Sequence, residues 1–363
     1  MTVNPVVAED LARIDAALFT KDRLAGASVL ITGCAGFLGF YLVSYLVRHG
    51  RSLGVCKIIG LDSFLLERPR WLEALAAEYP DLLEIQKFEI GRDNIADVKG
   101  AGDATIVIHG ASIASPTFYR QYPLATVDGN IWGLRALLDF YRERKTLRGL
   151  LFFSSSEIYG DPEPQFIPTD EEYRGRVSCI GPRACYDESK RFGETLCWIY
   201  ATHSGMPIAV ARPFNNYGPG MRLGDRRLPA DFASAIMEGR DLAILSDGTP
   251  TRTFCYVADA VAGYLLCVLS GRYDYYNIGT EKPEVSVREL ASLFCEAGAE
   301  ITGYRGTASF AKSPDPDYMT NNPNRRCPNI AKARTKLGYD PQVEVREGVR
   351  RYLRYLDHER QHA

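Results

Sequence analysis

The sequence has no excess of charge of either sign. Its 363 residues include 43 lysines and arginines and 45 aspartates and glutamates, which gives a formal net charge of -2. Proteins that bind nucleic acid or anionic lipid usually carry a clustered basic excess. We therefore expect neither nucleic acid nor a membrane among the partners of this protein.

The sequence also lacks the patterns of a disulfide framework, a metal site or a membrane segment. Its nine cysteines are scattered and odd in number, with no Cys-x-x-Cys pair and no histidine at a metal-binding spacing. No apolar run reaches membrane-spanning length, and the N-terminus lacks the basic, apolar and small-residue succession of a signal peptide. These absences favour a cytoplasmic protein with reduced thiols and no bound metal.

A glycine-rich turn near the N-terminus indicates a dinucleotide site. The apolar run Ser28–Thr32 predicts a buried strand that leads into the turn and then into a helical pattern. In this context glycines permit a tight turn and bring the backbone close to a pyrophosphate at the helix N-terminus. The cofactor-binding residues predicted in the turn are Gly33, Gly36, Phe37, Leu38 and Gly39.

The next predicted strand indicates which dinucleotide binds. This strand covers residues 57–61 and ends at Asp62. A carboxylate at this position accepts hydrogen bonds from the ribose hydroxyls of NAD and repels the 2′-phosphate of NADP. We therefore predict NAD as the cofactor.

Strands and helices alternate along most of the chain, which predicts an α/β fold with a doubly wound parallel sheet. Strands are expected to end at residues 88–90 and to cover 105–109, and long helices are expected at 130–144 and 186–203. After Pro219 the pattern is mixed, which indicates a smaller lobe. We expect an N-terminal extension at 1–27, a mainly NAD-binding Rossmann-like domain at 28–212 and a mainly substrate-binding lobe at 213–363, with some interleaving.

The candidate catalytic residues follow the apolar run 150–153. Ser154-Ser155-Ser156-Glu157 emerges at the end of this predicted strand, where open α/β sheets place their chemistry. Some thirty residues later, Tyr186 and Lys190 stand one helical turn apart. The ammonium can then lie beside the phenol and lower its pKa from ~10, which makes Tyr186 a usable base.

Together these motifs resemble the extended short-chain dehydrogenase/reductases that act on nucleotide sugars, whose fingerprint is Gly-x-x-Gly-x-x-Gly. Within that family the chain bears a particular resemblance to the UDP-glucuronate decarboxylases, from about Val29 to the C-terminus. The most specific stretch is 181–188, and the others are 111–116, 159–162, 247–252 and 325–330.

The resemblance implies a role for each matched residue. Tyr186 is the implied base, Lys190 its electrostatic partner and a ligand of the cofactor ribose, and Ser155 a donor to the sugar O4. Decarboxylases commonly have Thr-Ser-Glu where this chain has Ser155-Ser156-Glu157. Glu157 resembles an acidic residue that acts around C5, and Arg326 resembles an arginine that handles the substrate carboxylate.

The resemblance also implies binding residues. Ala111, Ser112 and Asn130 are expected at the cofactor. Asn215, Arg222 and Arg252 are expected at the diphosphate or ribose of a UDP-sugar substrate, together with Arg326.

The implied activity is NAD-dependent decarboxylation of UDP-glucuronate to UDP-xylose through a 4-keto intermediate, with the cofactor regenerated on the enzyme. A 4-epimerase, which needs only the Ser, Tyr and Lys, and an apiose/xylose synthase remain alternatives. A 4,6-dehydratase is a further alternative, which is weakened because such enzymes typically have an aspartate where Ser156 stands. A non-catalytic NAD-binding scaffold is the remote alternative, since a fold does not fix a function.

The family resemblance further implies a homodimer that forms through an intersubunit four-helix bundle. The predicted helices at 130–144 and 186–203 would supply two helices from each subunit. The apolar area expected at this interface comes from Leu134, Leu137, Leu138, Leu196 and Ile199.

Overall fold

The computed structural model describes residues 3–313, 320 and 322–362. In chain order its strands are β1 (Ser28–Thr32), β2 (Lys57–Asp62), β3 (Leu83–Lys87), β4 (Ile106–His109), β5 (Gly149–Phe153), β6 (Ile208–Pro213), β7 (Asn216–Tyr217), β8 (Leu242–Ile244), β9 (Thr251–Thr253), β10 (Cys255–Tyr256), β11 (Asp274–Ile278), β12 (Glu284–Ser286), β13 (Ala308–Phe310) and β14 (Arg325–Arg326). Its α-helices are α1 (Pro5–Ala17), α2 (Phe37–Gly50), α3 (Arg70–Glu78), α4 (Pro116–Gln121), α5 (Pro123–Val127), α6 (Leu134–Tyr141), α7 (Ala184–Ser204), α8 (Leu228–Met237), α9 (Val257–Leu269), α10 (Val287–Thr302), α11 (Ala331–Leu337) and α12 (Val345–Gln361).

A parallel seven-stranded sheet forms the centre of the fold, in the order β3-β2-β1-β4-β5-β6-β11. The central strands are apolar runs that are buried along nearly their whole length. Parallel sheets require this pattern because helices cover both faces. Here α2 and α9 pack on one face and α6 and α7 on the other. The predicted doubly wound sheet is confirmed.

The order of the strands places the site. From β1 the chain runs outward to β2 and β3, and then returns to the other side of β1 through β4. At such a switch point the carboxyl ends of the strands border a crevice in which ligands bind. The residues that follow β1, β2, β4 and β5 all emerge at this edge, among them Gly33, Ser63, Gly110 and Ser154.

A smaller lobe follows β6, as expected from the sequence. In it β9 pairs with β12 and β14, and β8 pairs with β13. Arg326 of β14 stands opposite Arg252 of β9 in the register of this small sheet. The lobe therefore sets two of the predicted binding arginines side by side.

Two elements beyond residue 213 return to the main sheet. Helix α9 packs against β5 and β6, and β11 pairs with β6 from Asp274 to Ile278. Nearly every residue of α9 is buried. The sheet is therefore completed by chain that lies between two parts of the smaller lobe.

The N-terminal helix α1 is integrated into the same body. Asp10 of α1 is fully buried, and its carboxylate accepts hydrogen bonds from Tyr256 at 2.7 Å and from Arg351 of α12 at 2.7 Å. Tyr41 of α2 donates to the same carboxylate at 2.5 Å. A buried charge satisfied by three separate elements ties α1 to the rest of the fold.

Several predicted boundaries differ from the structure by a few residues. The strand expected to end at residues 88–90 is β3, which ends at Lys87. The helix expected from Asn130 to Arg144 begins as a π-helix, Asp128–Gly133, and continues as α6 only to Tyr141. At Gly133 a Cβ would lie 2.4 Å from the side chain of Ile90, so this segment packs more closely than a regular side chain would allow.

The predicted subunit interface requires a correction. Leu134, Leu137, Leu138 and Leu196 are buried in the core between α6, α7 and the sheet, and only Ile199 of the five is exposed, at 37%. Apolar periodicity identifies a buried helix face, and here that face packs on the protein's own strands. The exposed apolar side chains of the same region are Trp132, Phe192, Trp198 and Ile199.

Among the described residues, no helix has both the length and the apolar content needed to cross a membrane.

Candidate active site

A cleft of about 310 Å³ lies where the carboxyl edge of the sheet meets the smaller lobe. Its volume falls at the lower end of the ~300–1,000 Å³ usual for small-molecule sites. The predicted residues that line it are Phe37, Leu38, Ser112, Ser155, Ser156, Glu157, Tyr186, Lys190, Asn215, Arg252 and Arg326. The fold thus gathers residues that are up to 289 positions apart in the chain.

Tyr186 and Ser155 form a direct pair in this cleft. Tyr186 lies in the first turn of α7, and Ser155 directly precedes the short 3-10 turn Ser156–Tyr159 that follows β5. Burial raises the pKa of Tyr186 to about 12, and the hydrogen bond with the Ser155 side chain opposes this rise. The Tyr119 ring stacks on Tyr186 with a centroid distance of 5.0 Å and an interplanar angle of 11°. The phenol is therefore fixed in orientation as well as in place.

Lys190 lies beside Tyr186 as the i, i+4 spacing predicts, but its electrostatic effect differs from the prediction. Its Nζ is 5.6 Å from the Tyr186 ring centroid and donates to the Phe153 carbonyl at 2.8 Å. Burial lowers the pKa of Lys190 to about 7. The expectation that Lys190 brings the pKa of Tyr186 below its ordinary value is wrong for this arrangement, because desolvation dominates both groups.

Glu157 is held by two arginines at one end of the cleft. Arg326 donates to its two carboxylate oxygens at 2.8 and 2.6 Å, and Arg183 lies 2.5 Å from one of them. These guanidiniums hold the pKa of Glu157 well below its usual range despite burial. Glu157 is therefore an anion here. Glu157 and Arg326 were both predicted at the site, but their direct pairing was not.

The other predicted substrate residues divide between the cleft and the surface. Arg252 is buried, donates to the carbonyls of Thr251 and Pro323, and has its pKa lowered to about 9 by burial and by neighbouring Arg326. Asn215 lines the cleft and donates to the Thr253 carbonyl at 2.9 Å. Arg222 is half exposed and pairs with Glu67 at 3.0 Å, outside the set of cleft residues.

The glycine turn fits a dinucleotide. Gly33 has φ +74°, and a Cβ there would lie 2.7 Å from the Ala111 backbone. At Gly39 a Cβ would lie 2.4 Å from the Cys34 carbonyl, so this glycine lets α2 pack directly on the turn. Gly36 is the N-cap of α2 and has no side chain that could accept hydrogen bonds from the first backbone N–H groups of the helix. The start of α2 is thus suited to meet a pyrophosphate through backbone N–H groups.

Asp62 and Ser112 complete the cofactor side of the site. The Asp62 carboxylate, at the end of β2, accepts backbone hydrogen bonds from Ala35 at 3.0 Å and Phe64 at 2.9 Å, which fixes it beside the glycine turn. The Ser112 hydroxyl lines the cleft and is buried without a hydrogen-bond partner among the described residues. A buried polar atom without a partner is costly, and a cofactor hydroxyl would satisfy it.

Asn130 is buried in the π-helix rather than in the cleft. Its side-chain amide donates to the Ser189 hydroxyl at 2.9 Å, and that hydroxyl donates to the Tyr186 carbonyl at 2.9 Å. Asn130 therefore braces the helix that carries Tyr186. π-helical turns are frequent at functional sites.

Several residues of the cleft were not predicted from the sequence. Arg183 lies within the stretch 181–188 that carries the resemblance, yet no role was assigned to it. Tyr119 has no motif to mark it and is recognised only by its stacking on Tyr186. Arg226 and Arg227 line the cleft instead of Arg222, and a basic run alone does not show which of its members turns inward.

Comparison with known proteins assigns the family. The model of the NAD dependent epimerase/dehydratase family matches residues 29–279, which is more than half of the chain. The chain belongs to this family. Its cofactor is NAD, in agreement with the prediction from the glycine turn and Asp62.

Individual relatives are similar to this chain over most of its length. A protein named UDP-glucuronic acid decarboxylase 1 from Xenopus tropicalis is 34% identical over 345 residues, which cover 95% of this chain and 75% of that protein. Among solved structures, the UDP-glucose 4-epimerase of Thermotoga maritima, solved with UDP-glucose, is 25% identical with a TM-score of 0.77 and covers 92% of this chain and 99% of its own. The UDP-glucuronic acid 4-epimerase of Bacillus cereus, solved with UDP-glucuronic acid and NAD, is 25% identical with a TM-score of 0.70 and the same coverage.

Proposed function

We propose that this protein converts UDP-glucuronate to UDP-xylose and CO2 through a 4-keto intermediate. The observation that carries the proposal is the grouping of Arg183 and Arg326 around Glu157, next to the Ser155–Tyr186 pair. A cationic group at this position matches a sugar whose C6 is a carboxylate. The curated relatives named UDP-glucuronic acid decarboxylase support the same substrate.

Tyr186 and Ser155 carry the first step. Ser155 holds the sugar O4 hydroxyl against Tyr186, and the phenolate of Tyr186 takes the O4 proton. The glycine turn and Asp62 would hold NAD, which would supply the oxidising power by taking the hydride from C4 and later giving it back. Lys190 binds beside Tyr186, and its charge favours the phenolate whenever it is protonated.

The carboxylate is lost from the resulting β-keto acid. Breaking the bond between C5 and the carboxylate carbon releases CO2 and leaves the electron pair in an enolate on O4, which Tyr186 and Ser155 stabilise by hydrogen bonds. Arg326 and Arg183 orient the carboxylate beforehand. When the substrate carboxylate binds the same two guanidiniums, they stabilise the Glu157 anion less, and the pKa of Glu157 rises toward its ordinary value. Glu157 can then take up a proton and donate it to C5.

One experiment tests this function. The purified protein is incubated with UDP-glucuronate, and CO2, NADH absorbance and the nucleotide-sugar product are followed together. We expect CO2 and UDP-xylose in equal amounts, with no added reductant consumed. UDP-galacturonate without CO2 would instead identify a 4-epimerase, the activity named for the similar Bacillus cereus protein. Retained NAD with no turnover would leave only a binding role.

We also propose that the protein is a homodimer whose subunits pair through the exposed side of α7 and of the π-helix Asp128–Gly133. Trp132, Phe192, Trp198 and Ile199 expose apolar side chains there, from 37% to 59% of their surface. Clustered apolar exposure of this kind is typical of interaction sites.

In sedimentation, wild type should have twice the monomer mass and Trp198→Glu should shift toward monomer. Phe310→Glu, a matched change at an exposed aromatic of the smaller lobe, should stay dimeric. A wild-type monomer mass at all concentrations would contradict the proposal.

A cytoplasmic location is the remaining proposal. All nine cysteines are free, and Cys197, Cys255 and Cys267 are buried as apolar packing groups. Unpaired thiols of this number suit a reducing compartment. Fluorescence microscopy of the tagged protein in its own cells would show a diffuse cytosolic signal, and a signal confined to another compartment would refute the location.

A further inference from the structure

A buried polar network lies beneath the cleft, and none of its central members lines it. Its centre is Arg212 on β6, which is 6% exposed. Arg212 donates to both carboxylate oxygens of Glu194 at 2.8 and 2.6 Å, to the Tyr159 hydroxyl at 2.7 Å and to the Glu171 carbonyl at 2.8 Å. One guanidinium thus joins β6, α7, the turn after β5 and a later loop.

The network reaches the catalytic face through two elements. Glu194 lies on α7, the helix that carries Tyr186 and Lys190, and it accepts a 2.5 Å hydrogen bond from the Ser154 hydroxyl. Ser154 directly precedes Ser155. Arg212 therefore connects the helix of the base with the turn that holds its hydrogen-bonding partner.

A second branch runs toward Arg326. The Tyr159 hydroxyl donates to the Asn277 side chain at 2.7 Å, and the Asn277 amide donates to the carbonyls of Thr169 and Asn329 at 3.0 and 3.1 Å. Thr169 in turn forms backbone hydrogen bonds with Cys327 and Asn329 at 2.9 and 2.8 Å. This ladder holds the residues that immediately follow Arg326.

The two ends of this branch meet at Glu157. Arg326 binds Glu157 across the cleft, and Glu157 lies two residues before Tyr159 in the same short turn. The bonds therefore form a closed ring from Tyr159 through Asn277 and the 327–329 segment to Arg326, and back through Glu157. The ring crosses the joint between the main sheet and the smaller lobe.

A buried ion pair is an expensive way to stabilise a fold, since apolar residues of similar volume often do as well or better. Four directed bonds from one planar guanidinium do, however, fix several elements relative to each other. We propose that Arg212 and Tyr159 are positioning residues that set Arg326 and Glu157 in register with the reacting carbon. This inference rests on the proposed decarboxylation.

The test is Tyr159→Phe, which removes the hydroxyl that links Arg212 to Asn277 and keeps the ring and the Arg212–Glu194 pair. With UDP-glucuronate we expect NADH formation within about twofold of wild type and CO2 release slowed by about 10- to 100-fold, since small misplacement of a reacting group has effects of this size. Transient NADH should then accumulate on the enzyme. Arg212→Lys keeps the charge but not the four directed hydrogen bonds, and it should likewise lower the ratio of CO2 release to NADH formation.

Tyr141→Phe is the matched control. Tyr141 is fully buried on α6, and its hydroxyl donates to the Ala101 carbonyl at 2.8 Å, away from the cleft. It should lose comparable thermal stability and keep the wild-type ratio of CO2 to NADH. If Tyr159→Phe and Arg212→Lys also keep that ratio, or slow both signals equally, the positioning role is refuted while the decarboxylase assignment stands. If wild type releases no CO2, the proposed function fails and this inference fails with it.

Discussion

Replacing Lys190 by methionine should stabilise the protein while abolishing its activity. Lys190 is 3% exposed, and burial lowers its pKa from 10.5 to about 7. Since each unit of pKa corresponds to ~1.4 kcal/mol, keeping this lysine charged in the folded state costs on the order of 5 kcal/mol. Methionine fills similar space without charge and forfeits the hydrogen bond to the Phe153 carbonyl, worth about 1 kcal/mol. We expect a net gain of roughly 4 kcal/mol in the free energy of unfolding near pH 6.

The sign of the pH dependence makes this prediction specific. The folded pKa of Lys190 lies below the unfolded one, so between pH 7 and 10.5 the unfolded state binds more protons and wild-type stability rises with pH through this group. The advantage of Lys190→Met is therefore largest below pH 7 and disappears as pH approaches 10.5.

Urea unfolding of both proteins, without added cofactor, at pH values from about 6 to about 10 measures this difference directly. Lys336→Met, at an exposed position of α11, is the control and should stay within about 0.5 kcal/mol of wild type throughout. An advantage of Lys190→Met that is constant with pH, or a loss of stability near pH 6, would refute the reasoning.

Three further predictions concern the chemistry and the cofactor. Tyr186→Phe should abolish both NADH formation and CO2 release from UDP-glucuronate, because neither oxidation nor enolate stabilisation proceeds without the phenolate; residual turnover of either kind near the wild-type rate would exclude Tyr186 as the base. Arg326→Ala and Glu157→Gln should retain some NADH formation but slow CO2 release by ~10²- to 10⁴-fold. Arg325→Ala, at the neighbouring exposed arginine, should behave as wild type. If both cleft variants released CO2 at the wild-type rate, the role of Arg326 and Glu157 in decarboxylation would be contradicted. Asp62→Ala should weaken NAD binding, measured by titration calorimetry, by roughly 1.5–3 kcal/mol for each ribose hydrogen bond lost; unchanged affinity would remove Asp62 from the cofactor site.

The sheet and its cofactor edge were predictable because local signals specify them. A buried apolar run, a glycine turn and an amphipathic helix must follow one another at Ser28–Gly50, whatever the rest of the chain does. The same local reasoning failed for Leu134, Leu137 and Leu138. Their spacing marks one apolar helix face but does not show whether a strand of the same chain or a second subunit covers it.

Several residues that line the cleft could be predicted from the sequence, but their electrostatics could not. The spacing of Tyr186 and Lys190 correctly placed them together, yet the pKa of each depends on desolvation, which tertiary packing sets. Glu157 and Arg326 are 169 residues apart, and only the resemblance brought them into one hypothesis. Their direct pairing, and the part of Arg183 in it, required the fold.

The return of α9 and β11 to the main sheet limits how this protein can be divided. A fragment that stops near residue 212 would leave β6 as an unpaired edge and would uncover the apolar face on which α9 packs, so it should aggregate rather than fold. For the same reason residues 213–363 cannot be exchanged as a unit, because grafting them from a relative would also replace a strand and a helix that complete the main sheet. Heating should accordingly unfold both halves in a single calorimetric transition, because neither has a complete core of its own.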